Sequence, residues 1–212
     1  MTDAETLHKL LNPAIFVAKE SDHTTKKLVC LCESKAKNSA VTIKQLPEDM
    51  IILKIDEFQF TRKPDKKEIG ITKEDHARAC SVFIGNYGEN CTADYIMIVP
   101  KDKLIIYIEM KSSGSSEKHI IKQLHGAKCF IECMKLYVKH FILENESFLH
   151  NYQERFVKLM FTDSKHYAKD SSRRARPTRP NIHPPVPDTP EKAYRVEKKV
   201  VVYDQIAWRK HH

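Results

Sequence analysis

No stretch of the 212-residue sequence approaches the ~20 consecutive apolar residues needed to span a bilayer, so no membrane-crossing helix is expected. The opening Met1-Thr2-Asp3-Ala4-Glu5 is polar and acidic, without the pattern of a secretory signal. The six cysteines (30, 32, 80, 91, 129 and 133) are therefore expected as reduced thiols in a cytoplasmic protein. Their spacing also lacks a CxxC knuckle. Cys30-x-Cys32 and Cys129-x3-Cys133, with His23 or His125, would be the only material for a zinc site, and cysteines spaced i, i+4 on an apolar helix face are usually core. No His–acid context supports a cysteine nucleophile. Internal repeats are absent and glycine is scarce, at 5 residues. With 41% apolar residues, this is the composition of a globular chain.

Cations are in excess. The net charge of +8 makes an anionic partner plausible, nucleic acid first, although lysine in excess also simply solvates a surface. The length allows one sizeable domain with a tail. Residues 1–170 read as an α/β domain. Leu7, Leu10 and Leu11 suggest a short helix between Thr6 and about Val17. Leu28–Cys32 fits a strand or a buried helix segment, and Met50–Phe60 a strand. Thr72-Lys73-Glu74-Asp75 opens a helix running to Cys80 or Phe83, and Gly85-Asn86 and Gly88-Glu89-Asn90 form turns. The strongest helix starts at Ser116 and carries a broad apolar face from Ile120 to Val138. Residues Glu144–Arg155 suggest a further helix, and Phe156–Phe161 a strand.

From Ser171 to 193 the chain turns basic and proline-bearing, which implies an extended arm. Arg173, Arg174, Arg176 and Arg179 would track a nucleic-acid backbone. The final stretch, 194–212, regains strand character, to pair with an edge of the domain or with another chain as a homo-oligomer or partner complex.

The most informative residues stand on two neighbouring apolar runs, Ala93–Val99 and Lys103–Lys111, joined by Pro100-Lys101-Asp102. This is a β-hairpin signal. Asp94 at the start of one strand meets Glu109 and Lys111 at the end of the other. Period-two alternation puts Glu109 and Lys111 on one face and turns Met110 away. Two carboxylates and an ammonium at one spot are costly unless a cation lies between the acids. The plainer alternative is a turn acid at Asp94 and a surface ion pair at Glu109–Lys111, worth under ~1 kcal/mol.

Asp94, Glu109 and Lys111 resemble the D…(D/E)-x-K signature of the PD-(D/E)XK, or restriction-endonuclease-like, nuclease superfamily. The small polar turn Ser112–Ser116 and Gln123 early in the following helix fit that resemblance, which covers roughly residues 72–141. It implies an αβββαβ core, with the missing strand supplied by the 50–60 or the 81–87 region. Ala93 stands where proline is common, and Ala127 replaces the tyrosine of exonuclease-like branches, so an exonuclease is not implied. The resemblance implies Mg²⁺ or Mn²⁺ on Asp94, Glu109 and the Met110 carbonyl, with Lys111 and Gln123 serving the attacking water. One of Glu74, Asp75, Glu89 or Glu57 would be an additional acid. The implied activity is an endonuclease cutting nucleic acid, DNA ahead of RNA, in prokaryotic or phage defence, such as antiviral defence, or in DNA processing. The alternative is a nuclease-like binding or assembly module without turnover.

Overall fold

The computed structural model describes residues 1–21, 26–32, 40–55, 92–112, 116–142, 147–161, 186–197 and 199–208. The chain forms a mixed α/β fold with few helices and two mixed sheets. Strands β1 (Glu20–Ser21), β2 (Lys27–Cys32), β3 (Ala40–Leu46) and β9 (Val200–Val202) make the smaller sheet, in that order. The larger sheet runs β4 (Ile51–Lys54), β5 (Tyr95–Val99), β6 (Leu104–Ser112), β7 (Gln153–Phe161) and β8 (Tyr194–Val196).

Within the larger sheet β4, β5 and β6 are successively antiparallel, while β7 and β8 run parallel to β6. A turn suffices for the antiparallel step from β5 to β6. Lys103, in the left-handed region at φ 47°, closes it by donating its N–H to the Pro100 carbonyl at 3.2 Å. A parallel neighbour requires a crossover, and helix α2 (Glu117–Phe141) supplies it between β6 and β7. Among the described residues the strand ahead of the hairpin is β4, from the 50–60 region; residues 56–91, with the 81–87 alternative and Glu57, Glu74, Asp75 and Glu89, lie outside the described residues.

The larger sheet is buried on both faces, which is why β5 reads as an unbroken apolar run. One face, including Tyr95, Met97, Val99, Ile106, Ile108 and Met110, packs against the smaller sheet. The other, including Ile96, Ile98, Ile105, Tyr107 and Phe156, packs under α2 and the N-terminal helix α1 (Asp3–Leu10). Helix α2 buries Ile120, Leu124, Ala127, Ile131, Met134 and Val138, a narrow three-four stripe rather than the broad face that its apolar content suggests. Leu136 on its outer side is 57% exposed. The Tyr95 hydroxyl ties the sheets together, donating to the Cys32 carbonyl at 2.7 Å and accepting from the Cys32 N–H at 3.1 Å.

Several expectations need correction. The helix expected over Glu144–Arg155 is absent among the described residues there: 147–151 form turns and β7 already begins at Gln153, whose N–H donates to the Lys103 carbonyl at 2.8 Å. Pairing with β6 overrides local helical character. The extended arm expected to reach residue 193 packs on the domain from Pro187 onward. The Pro187 carbonyl accepts the Phe156 N–H at 2.9 Å, a short 3-10 helix forms at Pro190–Lys192, and Pro190 and Ala193 are buried. The single C-terminal strand becomes two, β8 on the larger sheet and β9 on the smaller, followed by α3 (Tyr203–Ala207). Strand β3, with Val41 and Ile43 inward, has no counterpart among the elements expected from the sequence, although its buried positions alternate there. Arg173, Arg174, Arg176 and Arg179 lie outside the described residues. No described helix is long and apolar enough to cross a membrane.

Candidate active site

The acids meet where β5 begins and β6 ends. The hairpin register pairs Tyr95 with Ile108, so Asp94 falls one step beyond, level with Glu109. Strand alternation turns Ile96 and Ile98 toward α2, and Asp94 shares their parity. On β6 Ile105 and Tyr107 face the same way, and Glu109 and Lys111 continue that face. Three of the residues singled out in the sequence thus occupy one end of the sheet, under the first turns of α2.

Burial makes this arrangement unusual. Asp94 is 5% exposed and Glu109 fully buried. Asp94 Oδ2 accepts the Met110 backbone N–H at 2.6 Å, which fixes its carboxylate against the end of β6. The N–H and C=O of a strand residue leave on the same side, so the Met110 carbonyl faces the Asp94 side as well. Its side chain points the other way, into the core between the sheets. Lys111 Nζ forms an ion pair with Glu109 Oε1 at 2.5 Å, and Glu109 Oε2 has no hydrogen-bond donor among the described residues. Burial pushes the Glu109 carboxyl up to about 8, the negative charge of Asp94 adds to the rise, and Lys111 opposes it.

Gln123 lies at the rim. Its Nε2 donates to the Thr92 carbonyl at 3.4 Å, two residues before Asp94, and its buried Oε1 has no partner among the described residues. Lys158 was missed by sequence reasoning. It sits on β7 directly opposite Glu109 in the register and is 8% exposed, with its ammonium donating to Glu117 Oε1 at 2.7 Å. A lysine inside the apolar run Phe156-Val157-Lys158-Leu159-Met160 was the available signal.

The comparisons with known proteins are negative. No family model, no curated protein and no solved structure matches this chain.

The donor set suits a hard cation better than a soft one. It holds two carboxylates and a backbone carbonyl, all oxygen. Among the described residues no three His, Cys, Asp or Glu side chains converge as a metal cluster. The zinc candidates are scattered. Cys30 and Cys32 lie 3.9 Å apart, exposed on the smaller sheet, Cys129 and Cys133 are exposed on α2, and His125 pairs with Glu191 at 2.8 Å.

Proposed function

We propose that this protein is a Mg²⁺- or Mn²⁺-dependent endonuclease of the PD-(D/E)XK kind, hydrolysing phosphodiester bonds of DNA. The observation that carries the reading is Glu109, a fully buried carboxylate with an oxygen lacking any donor among the described residues, set beside Asp94. A buried acid so placed is costly for the fold alone, and a bound cation would supply the missing partner. The element order also supports it. Three successively antiparallel strands, a crossover helix and a parallel strand stand as β4, β5, β6, α2 and β7, as in the core the family resemblance implies, although β1, β2 and β3 separate α1 from β4.

In this reading Asp94, Glu109 and the Met110 carbonyl hold the cation, and Met110 N–H keeps Asp94 aimed at it. When bound, the cation lowers the pKa of a water and offsets charge building on the phosphate. Lys111 reaches past Glu109 with its side chain 15% exposed, so its ammonium can orient that water or meet a phosphoryl oxygen. The unpartnered Oε1 of Gln123 is an acceptor that can hold the water from the helix side. The arginines at 173, 174, 176 and 179 would add affinity that falls with salt.

The test is cleavage of plasmid, single-stranded DNA and RNA in Mg²⁺, Mn²⁺ and EDTA, with Glu109→Gln and Lys111→Ala beside the wild type. Metal-dependent cutting lost in both variants is expected. DNA binding without cutting, indifferent to either change, would instead make the protein a nuclease-like binding module.

A further inference from the structure

Charged residues form a row across the α2-facing side of the larger sheet. Asp94 leads it; Glu109 lies opposite Lys158 on β7, and Lys158 opposite Arg195 on β8. The row changes sign along its course, acids on β5 and β6, cations on β7 and β8. A strand spacing of ~4.8 Å separates the Cα atoms of Glu109 and Arg195 by about 10 Å.

Lys158 is the unexplained member. Its side chain is 10% exposed, whereas Glu117, its sole hydrogen-bond partner among the described residues, is 69% exposed. The same strand face carries Phe156 and Met160, both buried and apolar, so an aliphatic residue would complete the face with no charge to desolvate. A buried ammonium demands an anion. Here that anion rides on a mobile type of side chain open to solvent, at the first position of α2, where the helix dipole favours negative charge. The hydrogen bond from Lys158 holds the Glu117 carboxyl below the usual carboxylate range, and the charge of Arg195 pulls the same way.

We propose that Lys158 is an anion-binding group whose ligand is a phosphate of the nucleic-acid backbone neighbouring the one at Asp94–Glu109. Glu117 holds the place of that phosphate in the free protein. The inference rests on the nuclease reading for the identity of the anion. A backbone phosphodiester matches the single charge and two acceptor oxygens of the Glu117 carboxylate, and it displaces Glu117 because contacts elsewhere on the same strand hold it against Lys158. Arg195, paired at the surface with Glu197 at 2.7 Å, lies farther along the same course.

Binding is measured in EDTA, where no metal-dependent cutting interferes, by anisotropy of a labelled single-stranded oligonucleotide at several salt concentrations. Glu117→Gln removes the solvent-exposed carboxylate, its fold is checked by thermal melting, and it is expected to tighten binding about threefold or more. Lys158→Met is expected to weaken it about tenfold, to lower the salt slope by about one, and to abolish the gain from Glu117→Gln in the double variant. Unchanged or weaker binding by Glu117→Gln overturns the proposal, even if Lys158→Met fails to fold. Lys158-dependent stabilisation by inorganic phosphate without any effect on the oligonucleotide overturns the backbone assignment. Absence of cleavage in Mg²⁺ would remove the nuclease reading yet leave these binding results standing, so the two failures are distinguishable.

Discussion

Glu109 should make the metal-free protein lose stability as pH rises. Its carboxyl is raised from 4.5 in the unfolded chain to about 8 in the fold, through burial first and the Asp94 charge second. Between these values the folded state binds a proton that the unfolded state has released, so the slope of unfolding free energy against pH is negative. The contribution is fully present below pH 4.5 and is lost as pH climbs through about 8. The ceiling is about 5 kcal/mol, from about 1.4 kcal/mol for each unit of a rise from 4.5 to about 8. Other carboxylates titrate as well, so the quantity to follow is the difference between the wild type and Glu109→Gln, in which they cancel. Urea unfolding in EDTA at pH 5, 6, 7, 8 and 9 gives it. Near pH 5 the two proteins should be close, because an amide replaces a neutral carboxyl of the same shape. By pH 9 the variant should be more stable by several kcal/mol. A difference that stays constant from pH 5 to 9 would show that the Lys111 ammonium already offsets the buried charge of Glu109, which would then need no further cation.

Lys111→Met removes the cation opposing Glu109; cleavage should fall at least a hundredfold, and thermal melting in EDTA should drop more at pH 9 than at pH 6. Tyr95→Phe deletes the hydroxyl that accepts from and donates to Cys32 across the two sheets, and should cost about 1–3 kcal/mol in urea unfolding. Leu124→Ala empties a fully buried position under α2 and should cost about 2–5 kcal/mol by the same assay.

The hairpin and the long helix were legible because their signals are local: β-branched runs around Pro100-Lys101-Asp102, and apolar residues at helical spacing after Ser116. Asp94, Glu109 and Lys111 were legible for the same reason, since alternation along two adjacent strands places all three. The smaller sheet was not. Its β3–β9 pairing joins residues such as Ile43 and Val201, and nothing in either short segment names the other. The β7 strand absorbed residues expected as helix because its first pairings are with distant Leu104 and Ile105. Lys158 stayed hidden until that register set it opposite Glu109. An isolated charged residue in a strand has no meaning before its neighbours are known.

The chemistry of the site is accordingly a tertiary property. In the hairpin alone Asp94 and Glu109 would sit at an open strand end, hydrated and near their ordinary acidity. What changes them is the crossover. It sets α2 over this end of the sheet, with Ile120 and Leu124 packed down, and it brings β7 alongside β6 with Lys158 beside Glu109. Water is excluded from the acids, and the raised carboxyl of Glu109 follows. The same enclosure would strengthen a cation held between them, because charge interactions grow as solvent is removed. Gln123 and Glu117 belong to this argument, since both come from the first turns of the helix that encloses the site. A change that tilted this end of α2 outward, without touching any acid, should return Glu109 toward ordinary acidity and weaken the cation together.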